Sequence, residues 1–187
     1  MEIADQKYLK IDFDNNNLLR GEYENCHFVG CDFSKINLTQ FKFADCAFDS
    51  CNFSNVLLKN TALKNIKYAD CKLLGVNFQE ANPFLFEVHF NNCQLNLSSF
   101  RQMNLKNCTF EKSSLVEVDF TEANLQKADF NNVDLNRAVF HQTNLSGADF
   151  RNAKNFNIDP NLNLIKKAKF SYHNIAGILN KFDIIIE

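Results

Sequence analysis

Seven cysteines and four histidines are the side chains of this sequence that are best suited to bind a metal ion or to act as nucleophiles. No two cysteines have the Cys-x-x-Cys spacing of a metal or redox site, and their odd number argues against a complete set of disulfides. The histidines are scattered, and neither a Gly-rich phosphate loop nor a nucleophile elbow occurs. The sequence therefore predicts no enzyme activity, no cofactor and no metal site.

The five-residue spacing that recurs among the cysteines belongs to a repeat that covers most of the chain. Every fifth residue from Tyr8 to Phe78, and again from Leu85 to Phe150, is Phe, Leu or Tyr. Two residues earlier the side chain is mostly small or β-branched, and the other three positions are rich in Asn, Asp, Ser, Lys and Gln. A period of five fits neither an amphipathic helix nor a flat strand. It indicates a short turn-and-extended unit that directs two side chains inward.

All of the cysteines occupy the inward position that precedes the large apolar residue by two. They are Cys26, Cys31, Cys46, Cys51, Cys71, Cys93 and Cys108. We interpret them as small buried apolar residues in a reducing compartment rather than as metal ligands or disulfide partners.

Residues twenty apart fall into columns of similar type once a slip of two residues is counted. The column that is aromatic throughout contains Tyr8, Phe28, Phe48, Tyr68, Phe90, Phe110, Phe130 and Phe150. Because like side chains pack well on one another in a dense core, the columns predict four units per coil. About seven coils at a spacing of ~4.8 Å would give a rod roughly 34 Å long.

The slip lies at residues 79–84 and leaves Phe84 and Phe86 on either side of the predicted core residue Leu85. By register, both phenylalanines point outward. Two interpretations remain open: the two rings fold over the bulge and cover it, or they form an exposed aromatic contact for a partner. Phe84 and Phe86 are thus the candidate partner contact on the rod.

The repeat fades after Phe150, and Asp159-Pro160 breaks its pattern. Ser171 can N-cap a helix from about Tyr172 to Phe182, and a short extended run follows that helix.

The chain thus divides into a solenoid over residues 1–155 and a C-terminal cap over residues 156–187. The surplus apolar surface of the cap predicts a two-fold homodimer through the C-terminus. The candidate dimer contacts are Ile175, Ile178, Leu179, Phe182, Ile184, Ile185 and Ile186.

Tandem units of the pattern Ala/Cys-Asp/Asn-Leu/Phe-x-x run from about residue 8 to residue 155. They include Ala123-Asn124-Leu125-Gln126-Lys127, Ala128-Asp129-Phe130-Asn131-Asn132 and Ala148-Asp149-Phe150-Arg151-Asn152. Over this range the sequence resembles the pentapeptide-repeat family. The resemblance implies an all-β fold, a right-handed quadrilateral parallel β-helix, here with a C-terminal helix and short strand as its cap. We expect a non-enzymatic rod that interacts with a protein partner.

The helix-then-strand ending resembles that of Qnr-type and mycobacterial quinolone-resistance proteins and of the microcin B17 immunity protein. This resemblance implies a dimer of rods, similar to B-DNA in size and charge, that binds DNA gyrase or topoisomerase IV. Acidic and basic residues are nearly balanced on every face of the predicted rod, whereas a DNA mimic should present a negative stripe. Two hypotheses stand: an interaction rod with some other partner, or a DNA-mimicking binder of a type II topoisomerase that protects against quinolones or a toxin.

Overall charge and hydropathy argue against two further classes of partner. The net charge at pH 7 is −2, so direct binding to nucleic acid is not expected. No apolar run is long enough to span a bilayer, and the N-terminal residues lack the basic and apolar regions of a signal peptide. The sequence therefore predicts a cytoplasmic protein with no membrane partner.

Overall fold

The five-residue repeat turns the backbone at regular intervals and stacks residues twenty apart. The computed structural model describes residues 1–16, 18–84 and 86–185. In it Tyr8 pairs in parallel with Phe28, and the same spacing recurs from coil to coil. The fold is therefore a parallel β-solenoid with four five-residue units per coil, as the columns predicted.

Two faces of the solenoid carry its strands, numbered in chain order, and each face forms one parallel sheet. The first sheet has the order β1 (Glu2–Ala4), β3 (Glu22–Glu24), β5 (Lys42–Ala44) and β7 (Ala62–Lys64). The second has the order β2 (Lys7–Leu9), β4 (His27–Val29), β6 (Ala47–Asp49), β8 (Ile66–Ala69), β9 (Val88–Asn91) and β10 (Phe110–Glu111). Coils on the other faces are joined by isolated bridges, such as that of Asp32 with Asn52.

The solenoid continues beyond the predicted boundary at residue 155. Asp149 bridges in parallel to Lys169, so a further coil follows the break at Pro160. Phe170 extends the aromatic column and stacks on Phe150, with ring centroids 5.4 Å apart. The ladder therefore extends past residue 155, because the chain turns after Pro160 and then returns to it.

The core consists of the predicted columns of large apolar side chains. In the aromatic column, the Phe28 and Phe48 rings stack with centroids 4.9 Å apart, and Phe48 meets the Phe53 ring edge-on at 4.9 Å. Such ring pairs contribute about 0.5–1.5 kcal/mol beyond the burial of their area. Stacking along each column therefore holds neighbouring coils in register.

The corners of the solenoid need residues in the left-handed backbone conformation. Asn25, Asp45 and Asn65 follow one corner up the rod with φ values of 50°, 55° and 49°. Asn and Asp adopt this conformation more readily than other residues with a Cβ atom. The Asn25 amide also donates to the Asp5 carboxylate one coil earlier, at 2.6 Å, and Asn65 does the same to Asp45. This explains why Asn and Asp are frequent in the outward positions of the repeat.

A short helical segment closes the C-terminal end of the core. It follows Ser171 and consists of a 3₁₀ turn (Tyr172–Asn174), the α-helical turn α1 (Ala176–Leu179) and a second 3₁₀ turn (Asn180–Phe182). The predicted helix therefore exists, in three short pieces. None of the described helices has the length and apolarity that crossing a membrane requires.

Asn174 and Gly177 allow the helical segment to dock on the last coils. The Asn174 side-chain amide donates to the carbonyls of Phe150 and Ala153 at 2.7 and 3.1 Å, where no further coil supplies backbone amides. Gly177 lies against the Phe156 ring so closely that a Cβ atom there would overlap it. Glycine is therefore required for the segment to dock at this distance.

The N-terminal end of the core has no comparable cover among the described residues. Ile3, Tyr8, Ile11 and Leu18 are only half-buried, and they line an open cavity of about 350 Å³. Strands β1 and β2 are the outermost strands of their sheets. The two ends of the rod are therefore different: one is closed by a helical segment and the other is open.

Candidate interaction surfaces

The cysteines that the sequence singles out are all buried and free. Their thiols donate hydrogen bonds to carbonyls of the preceding coil, as Cys93 does to Tyr68 O at 3.5 Å. Burial raises the pKa of the Cys46 thiol to about 12 and also raises that of Cys108. In the part of the chain that the structure describes, no group of three or more Cys, His, Asp and Glu side chains is arranged to hold a metal ion.

Two kinds of corner, closed and open, occur along the solenoid, and all of the cysteines except Cys108 lie at open corners of the described backbone. In a closed corner, an amide donates to the carbonyl three residues earlier, as Ala128 N–H does to Leu125 O at 3.0 Å. In an open corner, such as that between Phe48 and Cys51, the described backbone has no such bond. The Cys71 thiol, one coil further on, accepts from the Cys51 amide at 3.3 Å and donates to the Phe48 carbonyl at 3.4 Å. The thiol thus links the Cys51 amide to the Phe48 carbonyl, whereas in a closed corner the corresponding amide and carbonyl bond to each other directly.

Other polar side chains in the inward position act in the same way. Asn163 accepts from the Thr143 amide at 2.9 Å and donates to the Phe140 carbonyl at 3.1 Å. The Ser98 hydroxyl likewise accepts from the Val76 amide at 3.2 Å and donates to the Leu73 carbonyl at 2.7 Å. The repeat pattern predicted that these residues are small, but it did not predict their hydrogen bonds. The presence of Cys, Ser, Thr or Asn instead of Ala in the inward position was a signal for such bonds.

The predicted slip is a bulge that follows the 3₁₀ turn Phe78–Glu80. The chain leaves the ladder after Asn82, whose amide still donates to the Thr61 carbonyl at 2.9 Å. Leu85, the core residue expected here, lies outside the described residues. The bulge occupies the place beside β7 where the first sheet would otherwise continue.

The two phenylalanines of the bulge have opposite environments. Phe84 is 76% exposed, whereas Phe86 is 7% exposed and its ring packs edge-on against Phe78 with centroids 6.2 Å apart. The expectation that both rings point outward is therefore wrong for Phe86, because the extra residues shift the register within the bulge and bring this ring into the core. The Phe84 amide donates to Asn82 Oδ1 at 2.9 Å, which stabilises the turn that presents the exposed ring.

Phe84 lies at one end of a groove on the outer face of the first sheet, which we name the Phe84 groove. It has a volume of about 330 Å³. Its lining includes Ala44 on β5 and Ala62 on β7. Because these side chains are small, the sheet leaves an open floor beside the Phe84 ring.

Charged side chains are unevenly distributed along the Phe84 groove. Glu2 pairs with Glu22 on the neighbouring strand, and Glu24 follows on the same strand as Glu22. A hydrogen bond from Lys42 lowers the pKa of the Glu22 carboxyl. Glu2, Glu24 and Lys64 form no ion pair with the described residues. The groove therefore has an acidic end, and Lys64 belongs to its other end, near Phe84.

The candidate dimer contacts divide into two groups. Ile175, Ile178 and Leu179 are half-buried, and Ile178 packs against the core. Ile178 therefore helps to dock the helical segment on the last coils.

The remaining contacts lie at the end of the chain. Phe182, Ile184 and Ile185 are 49%, 55% and 88% exposed. Ile184 and Ile185 are not part of a strand in the described chain, and Ile186 lies outside the described residues. An exposed apolar group follows the helical segment, in keeping with surplus apolar surface on the cap.

Opposite charges on the rod surface pair both across coils and within one coil. Glu117 binds Arg137 at 3.1 Å, one coil later. Asp149 binds Arg151 at 2.7 Å, and this hydrogen bond lowers the pKa of the Asp149 carboxyl. Local pairing of this kind agrees with the balance of charge that the register assigns to each face.

The sequence profile of the pentapeptide repeat region matches residues 22–83 and 84–158. The chain belongs to the pentapeptide-repeat family. Among solved structures, this family member is similar to two trypsin-treated variants of QnrB1, a plasmid-mediated fluoroquinolone resistance protein. One is 16% identical, covers 100% of this chain and 92% of that chain, and has a TM-score of 0.78. The other is 16% identical over 100% of both chains, with a TM-score of 0.67.

A third pentapeptide-repeat structure is also similar. It is HetL, which is involved in heterocyst differentiation regulation in the cyanobacterium Nostoc sp. strain PCC 7120; it is 16% identical over 90% of this chain and 86% of that chain, with a TM-score of 0.52. No curated protein sequence matches this chain. At these identities the structural similarities show the pentapeptide-repeat fold alone.

Proposed function

We propose that this pentapeptide-repeat rod is a non-enzymatic protein that acts by binding a protein partner in the cytoplasm. The observation that carries the proposal is Phe84, a 76% exposed aromatic side chain beside a groove on a rod whose other phenylalanines mostly lie in buried columns. Aromatic residues that meet a partner contribute a large share of binding energy at interfaces. The buried free thiols suit a reducing compartment.

Capture of partners from a lysate of the source organism tests this proposal. Phe84→Ser should abolish capture by the tagged rod without changing its circular dichroism. Leu97→Ser is the matched control, since Leu97 is also an exposed apolar residue (63%) but lies away from the groove. Capture of the same proteins by the wild type and by Phe84→Ser would contradict the role of the bulge.

We also propose that two rods associate through the C-terminal segment. Exposed apolar residues at one end favour a two-fold contact, in which the same patch meets itself. Ile185→Asp should shift the wild-type dimer to monomer in analytical ultracentrifugation, while Leu97→Asp should leave the dimer intact. A wild-type protein that is monomeric at micromolar concentration would refute this assembly.

A second candidate function is binding to a type II topoisomerase as a DNA mimic. The observation that favours it is similarity to the fluoroquinolone resistance protein QnrB1 over the whole chain. The balanced surface charge weighs against it, because a mimic of DNA should be acidic along its length. A gyrase supercoiling assay with and without ciprofloxacin tests it. No protection and no inhibition at about tenfold excess of the rod would remove this candidate.

A further inference from the structure

We propose that the Phe84 groove binds an extended segment of the partner that carries one apolar residue and, about four positions away, one basic residue. This inference rests on the proposed function, and it adds the chemistry of the partner. Three features of the groove support it: an apolar end, an acidic end and the distance between them.

The apolar end is formed by Phe84 and the floor beside it. The ring is 76% exposed, and Ala44 and Ala62 leave space over strands β5 and β7. An aliphatic or aromatic side chain can pack between the ring and this floor, which removes apolar surface of both partners from water. Because Asn82 holds the turn through the Phe84 amide, the backbone that carries the ring is already positioned before binding.

The acidic end is formed by the carboxylates of Glu2, Glu22 and Glu24 on paired strands β1 and β3. Lys42 neutralises Glu22, which leaves Glu2 and Glu24 without an ion-pair partner in the described chain. A lysine or arginine fits this end, and a guanidinium can meet a carboxylate with two hydrogen bonds.

The distance between the two ends sets the spacing in the partner. Glu22 pairs with Lys42 and Lys42 with Ala62, and the bulge with Phe84 follows after β7. Coils are about 4.8 Å apart, so the ends are roughly 14 Å apart. An extended chain advances about 3.3 Å per residue and covers this distance with about four residues.

Lys64 determines the direction in which the partner segment lies in the groove. It lines the groove on β7 near Phe84 and has no ion-pair partner among the described residues. A basic residue at the Phe84 end would be repelled, whereas the same residue at the Glu2 and Glu24 end is attracted. The partner segment therefore binds with its basic residue toward the N-terminal coils.

A nuclear magnetic resonance titration of the full chain, labelled with ¹⁵N, tests the inference. The probes are the blocked peptides Trp-Ser-Ser-Ser-Arg and Trp-Ser-Ser-Ser-Glu. The Arg peptide should shift the amide signals of Glu24, Ala44 and Ala62, and the Glu peptide should bind about threefold or more weakly. Phe84→Ser should weaken binding of the Arg peptide about tenfold.

Glu24→Lys should weaken the Arg peptide about threefold, as expected for one exposed ion pair. Glu111→Lys, on the second sheet, is the control and should leave its affinity unchanged. Absence of shifts at millimolar peptide, equal binding of the two peptides, or an unchanged affinity in Glu24→Lys would overturn the inference. If Phe84→Ser still abolishes capture from lysate while the peptides fail, the rod remains an interaction protein and only this recognition pattern is wrong.

Discussion

The coils before the bulge and the coils after it stabilise their corners differently. Before the bulge, corners closed by the backbone, such as that between Phe53 and Val56, occur together with open ones, and the Cys71 thiol of the next coil bridges the open corner after Phe48. After the bulge, most corners are closed by their own backbone, as between Leu125 and Ala128. Where the backbone closes the corner, alanine is sufficient in the inward position. The inward residue is therefore selected for hydrogen bonding as well as for size.

The two regions also differ in the number of aromatic rings that contact one core phenylalanine. Before the bulge, Phe48 meets five neighbouring rings, those of Phe28, Phe33, Phe43, Phe53 and Tyr68. After it, Phe130 meets four, those of Phe110, Phe120, Phe140 and Phe150. Leucine columns fill the remaining space there. Deletion of a ring should therefore distinguish the two regions.

Truncation of core rings is expected to have the largest effect. Phe48→Ala and Phe130→Ala should each lower the free energy of unfolding by about 3–5 kcal/mol. The loss should be larger for Phe48 by about 0.5–1.5 kcal/mol, because one more ring pair is removed. Urea denaturation measures both, with the outward Lys112→Ala as a control that should change little. Equal losses at the two phenylalanines would show that the additional ring contact is not significant.

Removal of a bridging thiol should have the next largest effect. Cys71→Ala leaves the Cys51 amide without its acceptor and should cost about 1–3 kcal/mol in the free energy of unfolding. Cys71→Ser should cost less, because the Ser98 hydroxyl bridges an open corner in the same way. Ala128→Ser tests the coils after the bulge. Because the backbone already closes that corner, the added hydroxyl should not increase the free energy of unfolding. If Cys71→Ala and Cys71→Ser are equally destabilised, size alone decides the inward position.

The closed end of the rod should be sensitive to one methyl group. Gly177→Ala places a Cβ atom against Phe156 and should destabilise docking of the helical segment by about 1–2 kcal/mol. Hydrogen exchange of the Ile158 amide, which donates to the Gly177 carbonyl at 2.8 Å, reports this change. Ala176→Ser, exposed on the same turn, is the control. Unchanged exchange at Ile158 would mean that the close approach is not needed.

The smallest expected effect is a dependence of the helical segment at the closed end on pH. A hydrogen bond from Lys181 lowers the pKa of the Asp159 carboxyl. The ion pair therefore stabilises the segment fully above the ordinary aspartate pKa, and this stabilisation is lost as pH falls through the lowered value, below about pH 4. The protection of the segment's amides from hydrogen exchange, corrected for the intrinsic exchange rate at each pH, should fall there.

Two variants isolate that effect. Asp159→Asn should make the protection of the helical segment from hydrogen exchange independent of pH over this range. Asp183→Asn, at an exposed position without an ion pair in the described chain, should retain the wild-type profile. A wild-type profile in Asp159→Asn would assign the pH dependence to other carboxylates.

Most of the core could be predicted because each inward position recurs with a constant period. The same period also continues to Ile165 and Phe170, so the last coil was visible in the sequence despite the break at Pro160. The environment of Phe86 could not be predicted, because any residue of a bulge can absorb the two extra positions. The bridging thiols could not be predicted either, since their partners lie a full coil away and depend on whether a corner is open.

The left-handed corner residues have a consequence for synthesis of the protein. Residues such as Asn25 and Asp45 hold a backbone conformation that is unfavourable in an isolated chain. Only the hydrogen bonds and ring contacts of a neighbouring coil offset it, so one coil leaving the ribosome has nothing to hold it in shape. We therefore expect folding to follow translation at a distance of at least one coil. Docking of Gly177 against Phe156 should then follow formation of the coil that contains Phe156.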